Sequence, residues 1–206
     1  MGIRALHTAV LALIAVALLG SHLAAYPRPA LVNPSWQIDI VHRQPRTIGV
    51  ADLQGVTRWY WYLPYKVVNN SGVEQLFVPE TTVATDQGDI IMTDKNVPPR
   101  VFTAVMRHLG NQLLESPIAV SGKLLIGEDR ARESVLIWPV FENDVDRMTI
   151  FFAGLAGESQ SIIHPATGAT VSLRKTLMIS YATPGTAEPH QRQPIKLLGK
   201  PVWVMR

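Results

Sequence analysis

The chain opens on an apolar run unlike anything that follows it. Residues 10–20 carry no charge, Arg4 precedes them, and Ala24 and Ala25 follow. A positive start, a short apolar core and small residues at its end form the three-part pattern of a secretion signal. The run is shorter than the roughly 20 residues of a membrane-spanning helix. The sequence therefore predicts a cleavable signal peptide over 1–25 and an exported domain from Tyr26, with an uncleaved N-terminal anchor as the alternative.

Beyond the signal, the dominant pattern is the two-residue alternation of β-strands. It is strongest over 57–68, which is rich in the aromatic and β-branched residues that strands favour. Trp59, Trp61 and Leu63 fall on one face, and Tyr60 and Tyr62 fall on the other. Because proline cannot donate a ladder hydrogen bond, Pro64 predicts that this strand lies at a sheet edge or carries a bulge.

Shorter alternating or apolar segments recur along the rest of the chain, separated by turn residues. They cover 36–40, 47–50, 74–85 with a break near Pro79, 90–92, 118–126, 134–141, 147–155, 170–181 and 201–205. This spacing of short strands is typical of an antiparallel β-sandwich. The sequence predicts a mainly β, immunoglobulin-like sandwich that forms a single domain over 26–206.

One segment changes to a helical period. Val101, Val105 and Leu109 recur at intervals of four residues after Pro98 and Pro99. Proline suits the first turn of a helix, and glycine suits its end. We therefore expect one short inserted helix over 99–109 that ends near Gly110, with an extension to Glu115 as the alternative.

The composition excludes several kinds of site but does not identify a function. The chain has no cysteine, which excludes disulfides, thiolate metal sites and a lipid anchor on cysteine. Its net charge of +3 comes from scattered residues and not from the clustered basic face of a nucleic-acid-binding protein. The histidines lack metal-ligand spacing, and Ser121-Gly122-Lys123 lacks the earlier glycine of a phosphate-binding loop, because Pro117 stands there. We therefore predict no metal, no cofactor and no nucleic-acid partner.

Two groups of residues remain as candidate binding surfaces. A charged loop, 127–133, contains Glu128, Asp129, Arg130 and Arg132, which form either a binding surface or local ion pairs. The aromatic run 59–62 offers a sugar-stacking surface, made either by Tyr60 and Tyr62 or by Trp59 and Trp61, whichever pair is exposed.

Two weaker motifs have simpler explanations. The acidic segment 142–146 has calcium-type oxygen ligands but lacks the glycine and distal glutamate of a calcium loop, so we interpret it as a solvated hairpin. The triplet Asn69-Asn70-Ser71 matches a glycosylation sequon, which in a bacterial chain is only a turn.

Several longer phrases together resemble a family of uncharacterised exported proteins of planctomycete-type bacteria. They are WYLPYKVVNNSG at 61–72, GEDRAR at 127–132, FFAGLAGE at 151–158, YATPG at 181–185 and WVMR at 203–206. The resemblance covers most of the chain after Trp59. It implies a bacterial cell-envelope context, and it implies no activity and no catalytic residue.

The favoured function is a non-catalytic binding or scaffolding module in the periplasm or outside the cell. Its partner would be another envelope protein or a polysaccharide, bound at the predicted edge strand with Pro64 or at the 127–133 loop. One alternative is a carbohydrate-binding module that uses the 59–62 aromatics. A second is a hydrolase assembled from distant residues, such as His164 with Asp144 or Glu133.

Overall fold

A computed structural model describes residues 27–31, 35–141, 145–184, 190 and 194–206. The segment predicted as signal peptide, the start near Tyr26 and residues 142–144 of the acidic hairpin lie outside the described residues. The strands are β1 (Asp39–His42), β2 (Arg46–Ala51), β3 (Thr57–Val68), β4 (Gln75–Phe77), β5 (Glu80–Thr85), β6 (Ile90–Met92), β7 (Gly122–Leu124), β8 (Arg132–Pro139), β9 (Arg147–Ala153), β10 (Ser159–Ile163), β11 (Thr170–Ala182), β12 (Lys196–Leu197) and β13 (Val202–Met205). The helix α1 (Pro99–Leu109) lies between β6 and β7.

The first sheet is organised around β3. Strand β8 pairs with β3 along one edge, while β1 and β2 pair with successive halves of β3. The prediction of an edge strand is therefore wrong, because β3 has partners on both sides. The proline is tolerated for a local reason. Pro64 lies opposite Arg43, where β1 ends before β2 begins, and its carbonyl accepts the Arg43 N–H at 2.9 Å. The missing N–H of Pro64 therefore faces this gap and not a continuous strand.

The second sheet is organised in the same way around β11. Strand β9 pairs with one half of its first edge and β10 with the other, while β12 and β13 share the opposite edge. Strands β5 and β6 extend the sheet beyond β9. A separate pair, β4 and β7, forms a small third sheet. All these pairings are antiparallel.

The two main sheets face each other across an apolar core. The first sheet contributes Trp61, Leu63 and Trp138, and the second contributes Ile150 and Phe152 among others. Helix α1 covers the opposite face of the first sheet, where Tyr60 and Tyr62 of β3 pack with Val101 and Val105. Strand β3 is therefore buried on both faces.

These layers confirm the predicted mainly β fold with antiparallel sheets and one short helix, and the two facing sheets form a sandwich-like arrangement. The immunoglobulin-like topology and the single-domain organisation stay predictions. The helix has the predicted bounds: Pro99 begins it, and Gly110 ends it in the left-handed conformation at φ 63°.

Some sequence-based strand boundaries need correction. Strand β10 was not predicted, because its residues are mostly exposed on both faces and show no alternation. The strand expected over 118–126 shrinks to β7, since turns occupy the residues before it. The strand expected over 36–40 begins only at Asp39, with Gln37 forming an isolated bridge to Ala156.

Gly154 tests how tightly the turn after β9 packs. Its φ is +87°, and a Cβ there would lie 2.2 Å from the carbonyl oxygen of Val78. Gly154→Ala therefore combines left-handed strain with a backbone clash, and we expect it to lower the free energy of unfolding by about 3 kcal/mol. Chemical denaturation measures this loss.

Gly168→Ala is the matched control for this substitution. Gly168 also has a positive φ, +68°, but nothing lies within 4 Å of its added Cβ. The strain alone should cost about 1 kcal/mol. Equal losses at the two positions would show that the contact with Val78 is not tight.

Candidate functional site

The predicted charged loop divides into an exposed part and a structural part. Glu128–Arg130 form a short 3₁₀ turn before β8, and Glu128 pairs with Lys66 of β3. Asp129 and Arg130 contact each other at 3.6 Å and are both exposed. These three residues therefore form local ion pairs on the surface, which contribute little to stability.

Arg132 has a different role from its neighbours. Its Nε donates to Glu115 Oε1 at 2.8 Å, its Nη2 bonds the other carboxylate oxygen, and Nη2 also donates to the Ala119 carbonyl at 2.6 Å. The hydrogen bond to Glu115 raises the pKa of the Arg132 guanidinium. This two-pronged contact anchors the segment after α1 to the start of β8. Arg132 is thus committed to holding the fold together.

The aromatic run does not form the expected sugar-stacking surface. Trp61 is 2% exposed and lies in the core between the sheets, while Tyr60 and Tyr62 are 7% and 1% exposed beneath α1. Trp59 is half-buried beside Gly49. Neither pair therefore meets the condition of exposure that the sugar-stacking hypothesis set, because layers pack on both faces of β3.

The sequon also proves to be structural. The Asn69 amide is fully buried and donates to the carbonyls of Val73 and Leu124 at 2.8 and 3.0 Å. Its oxygen accepts from the N–H and hydroxyl of Ser71. Both amide hydrogens are engaged, so the Asn69 side chain serves as the internal brace of the turn after β3.

The residues suggested for a hydrolase are not brought together. His164 lies in the turn between β10 and β11, where its Nδ1 accepts from the Ala166 N–H at 3.3 Å. Glu133, on β8 in the other sheet, accepts from the Asn111 amide at 2.7 Å. Asp144 lies outside the described residues. The contacts of His164 and Glu133 therefore supply no nucleophile–base pair.

The structure instead places a cleft where β1, β2 and α1 meet. Its volume is about 570 Å³. We call it the Tyr62 cleft, and the residues that define it are His42, Arg43, Arg46, Tyr62, His108 and Leu109. None of these except Tyr62 was singled out from the sequence as a binding residue.

Local folding explains why these side chains converge. Arg46 and Tyr62 are direct partners in the β2–β3 register and therefore project from the same face of the sheet. His42 ends β1, and Arg43 follows it opposite Pro64. The last turn of α1 supplies His108, whose ring meets Tyr62 edge-on with the ring centroids 6.0 Å apart. Pro64, which lies opposite the interruption between β1 and β2, is the sequence feature that pointed to this part of the sheet.

Tyr62 is the unusual member of the cleft. Its hydroxyl is buried and has no hydrogen-bond partner among the described residues. Burial raises the pKa of Tyr62, and the charge of Arg46 acts in the opposite direction. The hydroxyl is therefore a neutral donor. Leaving such a group unpaired costs about 1–3 kcal/mol, so a buried unpaired hydroxyl on a residue that lines a cleft needs an explanation.

A smaller cavity adjoins the cleft. It has a volume of about 220 Å³ and shares Arg43, Pro64 and Leu109 with the cleft. Glu133 and Lys66 line its other side. The two spaces are therefore neighbours beside the C-terminal end of α1.

A third, shallower groove lies at the far end of β1. It has a volume of about 580 Å³, and its wall is mostly polar: Ser35, Gln37, Asp39, Asn70 and Gln75 line it beside Trp36. Amide and hydroxyl groups beside an indole ring are a composition suited to neutral sugars. The Asn70 amide already donates to Asp39 at 2.8 Å, so this pair presents a fixed arrangement of polar atoms.

Asp94 is a buried carboxylate with a strongly raised pKa, and it too is structural. Burial raises its pKa to about 7 against the opposing effect of its hydrogen bonds. Its Oδ1 accepts the Ile137 N–H at 2.9 Å, and its own N–H donates to the Ile137 carbonyl at 2.6 Å. Asp94 therefore caps the free edge of β8, and it lines neither the Tyr62 cleft nor its adjoining cavity.

Two general features complete the description. Across the described ranges, no group of three or more histidine and carboxylate side chains is placed to hold a metal ion. No helix in the same part of the chain is long and apolar enough to cross a membrane.

Comparison of the chain with protein families, curated proteins and solved structures finds no match.

Arg132→Ala should lower the free energy of unfolding by about 2 kcal/mol, because the substitution removes charge-assisted hydrogen bonds and leaves Glu115 without its partner. Arg130→Ala is the control, since that exposed side chain should contribute less than about 0.5 kcal/mol. Urea denaturation of both variants measures the difference. Similar losses would mean that the anchor at Glu115 is not a stabilising contact.

Asp94→Asn should alter how stability depends on pH. The carboxyl ionises near its usual pKa of 3.8 in the unfolded chain but near 7 when folded, so folding takes up a proton between these values. Its contribution is complete below about pH 4 and is lost as the pH rises through about 7, by at most about 4 kcal/mol. Asparagine stays neutral and tolerates the φ of 63° at this position.

Unfolding free energies at pH 4.5, 6 and 8 test this expectation. The wild type should lose stability over this range relative to Asp94→Asn. Parallel curves for the two proteins would show that Asp94 ionises normally in the fold.

Proposed function

We propose that this chain is an exported, non-catalytic binding domain of the bacterial cell envelope and that its ligand occupies the Tyr62 cleft. The apolar segment at 10–20 supports export, and the resemblance to exported bacterial proteins supports the envelope. Cleavage after residue 25 would release a domain that contains the cleft.

The single observation that carries the proposal is the unpaired Tyr62 hydroxyl. A purely structural position would favour phenylalanine, which keeps the ring and avoids the cost of burying a donor. A ligand oxygen that accepts this hydrogen bond would recover that free energy on binding. The free-energy cost of the unpaired hydroxyl would then be present only in the ligand-free protein.

The dimensions of the cleft suit a small group. Its volume of about 570 Å³ falls within the roughly 300–1,000 Å³ of small-molecule sites. The ligand is therefore a small molecule or the terminal group of a larger envelope component. A polysaccharide or another envelope protein that presents such a group would be held without any chemical step.

A carbohydrate-binding module remains the second candidate function, now at the groove beside Trp36. The observation that favours it is the set of amide and hydroxyl side chains next to that indole ring. Neutral sugars recognised there would not compete with a ligand of the Tyr62 cleft, since different residues line the two sites.

Tyr62→Phe tests the proposed site. Without ligand, this variant should be about 1 kcal/mol more stable than the wild type, because it removes a buried unpaired hydroxyl. A fragment library of small acids, amides, alcohols and neutral oligosaccharides, screened by ligand-observed NMR, should yield ligands that bind the wild type about tenfold more tightly than Tyr62→Phe.

Tyr60→Phe is the matched control for the screen. Tyr60 lies on the same face of β3 under α1 but does not line the cleft. Its substitution should leave fragment binding unchanged. The proposal fails if no fragment binds, or if every ligand that binds is equally affected by the two substitutions.

A further inference from the structure

The Tyr62 cleft has an uneven distribution of charge. Arginine and histidine side chains line it from three places: Arg43 from the β1–β2 gap, Arg46 from the start of β2, and His108 from α1. No carboxylate side chain lines it among the described residues. Glu133 lines the adjoining cavity, and the Asn111 amide donates to its carboxylate.

We infer that the ligand of the Tyr62 cleft carries an oxyanion, either a carboxylate or a phosphate, joined to an apolar body. This inference rests on the proposed function and specifies the chemical class of its ligand. An oxyanion offers acceptors only, which matches a wall that offers a hydroxyl donor and guanidinium donors.

The register of the first sheet fixes where the anionic group would bind. Arg46 and Tyr62 are direct cross-strand partners on one face, and the Arg46 charge is close enough to affect the titration of Tyr62. An oxygen of the ligand's anionic group between these two side chains would accept a hydrogen bond from the Tyr62 hydroxyl and would also face the Arg46 guanidinium. A charge-assisted hydrogen bond of this kind is about twice as strong as a neutral one.

The end of α1 is compatible with an anion in this place. The carboxyl end of a helix carries partial negative charge, which would oppose an anion. Here Gly110 and Asn111 donate their N–H groups to the carbonyls of Arg107 and Met106. His108 lies in the same last turn, and its ring meets Tyr62 edge-on.

Apolar side chains lie beside the position proposed for the ligand's anionic group. Leu109 and Pro64 border both the cleft and the adjoining cavity, and Val41 and Leu114 line the cavity beyond them. A ligand with an aliphatic or aromatic body would cover this surface while its charged group stayed beside Arg46. A bare inorganic anion would leave it uncovered.

Matched ligands provide the test. Each carboxylic acid found to bind should be compared with its primary amide and its phosphonate, which keep the body and change the head group. We expect the acid or the phosphonate to bind the wild type at least tenfold more tightly than the amide, and this preference should shrink as salt increases. The relative strength of the acid and the phosphonate identifies which oxyanion the cleft prefers.

Variants that each remove one positive charge test which arginine is responsible for the preference for anionic ligands. Arg46→Gln should weaken binding of the anionic ligand about tenfold and leave amide binding unchanged. Arg107→Gln is the control. It removes an exposed positive charge from the last turn of α1, next to His108 but outside the cleft lining, and it should change the binding of neither the anionic ligand nor the amide. Circular dichroism and the unfolding midpoint verify that both variants fold.

Failure of this inference is distinguishable from failure of the proposed function. Amides that bind as tightly as acids, while still depending on the Tyr62 hydroxyl, would overturn the oxyanion and leave the site intact. Equal effects of Arg46→Gln and Arg107→Gln would also overturn it, because binding would then respond only to overall charge.

Discussion

The structure depends on one strand that is buried on both faces. β3 contributes Trp61 and Leu63 to the core between the sheets, and Tyr60 and Tyr62 to the core beneath α1. A strand covered on one side only can direct its polar residues to water. β3 has no such side, so each residue along its middle must fit a packed environment. The helix, the sandwich and the cleft all take their positions from this strand.

Much of the architecture follows from local sequence patterns, because they report burial. The alternation at 57–68 and the four-residue period of Val101 and Val105 each correspond to a described element with matching bounds. Strand β10 escaped detection because exposed positions carry no such pattern. The proline at 64 was misjudged for a different reason: the ladder loses only one hydrogen bond where the neighbouring strand is already interrupted.

The candidate site could not be predicted in the same way, because it depends on contacts between distant residues. Arg132 finds its carboxylate at Glu115, 17 positions earlier in the chain. Arg46 and His108 meet Tyr62 from β2 and α1, and only the sheet register and the helix packing bring them together. Sequence reasoning selected conspicuous charged and aromatic runs, yet most of those residues hold the fold together.

The connection between β1 and β2 sets a constraint that is independent of any ligand. His42 pairs with Tyr65 and Arg46 pairs with Tyr62, so the three residues 43–45 face only two residues of β3. This one extra residue keeps the two short strands from joining into one, whatever residue stands at position 64. Removing it would bring β1 and β2 into one register and shift Arg43 and Arg46 relative to each other along β3. Related chains that retain every arginine and tyrosine of the cleft but differ in the length of this connection therefore need not share a ligand.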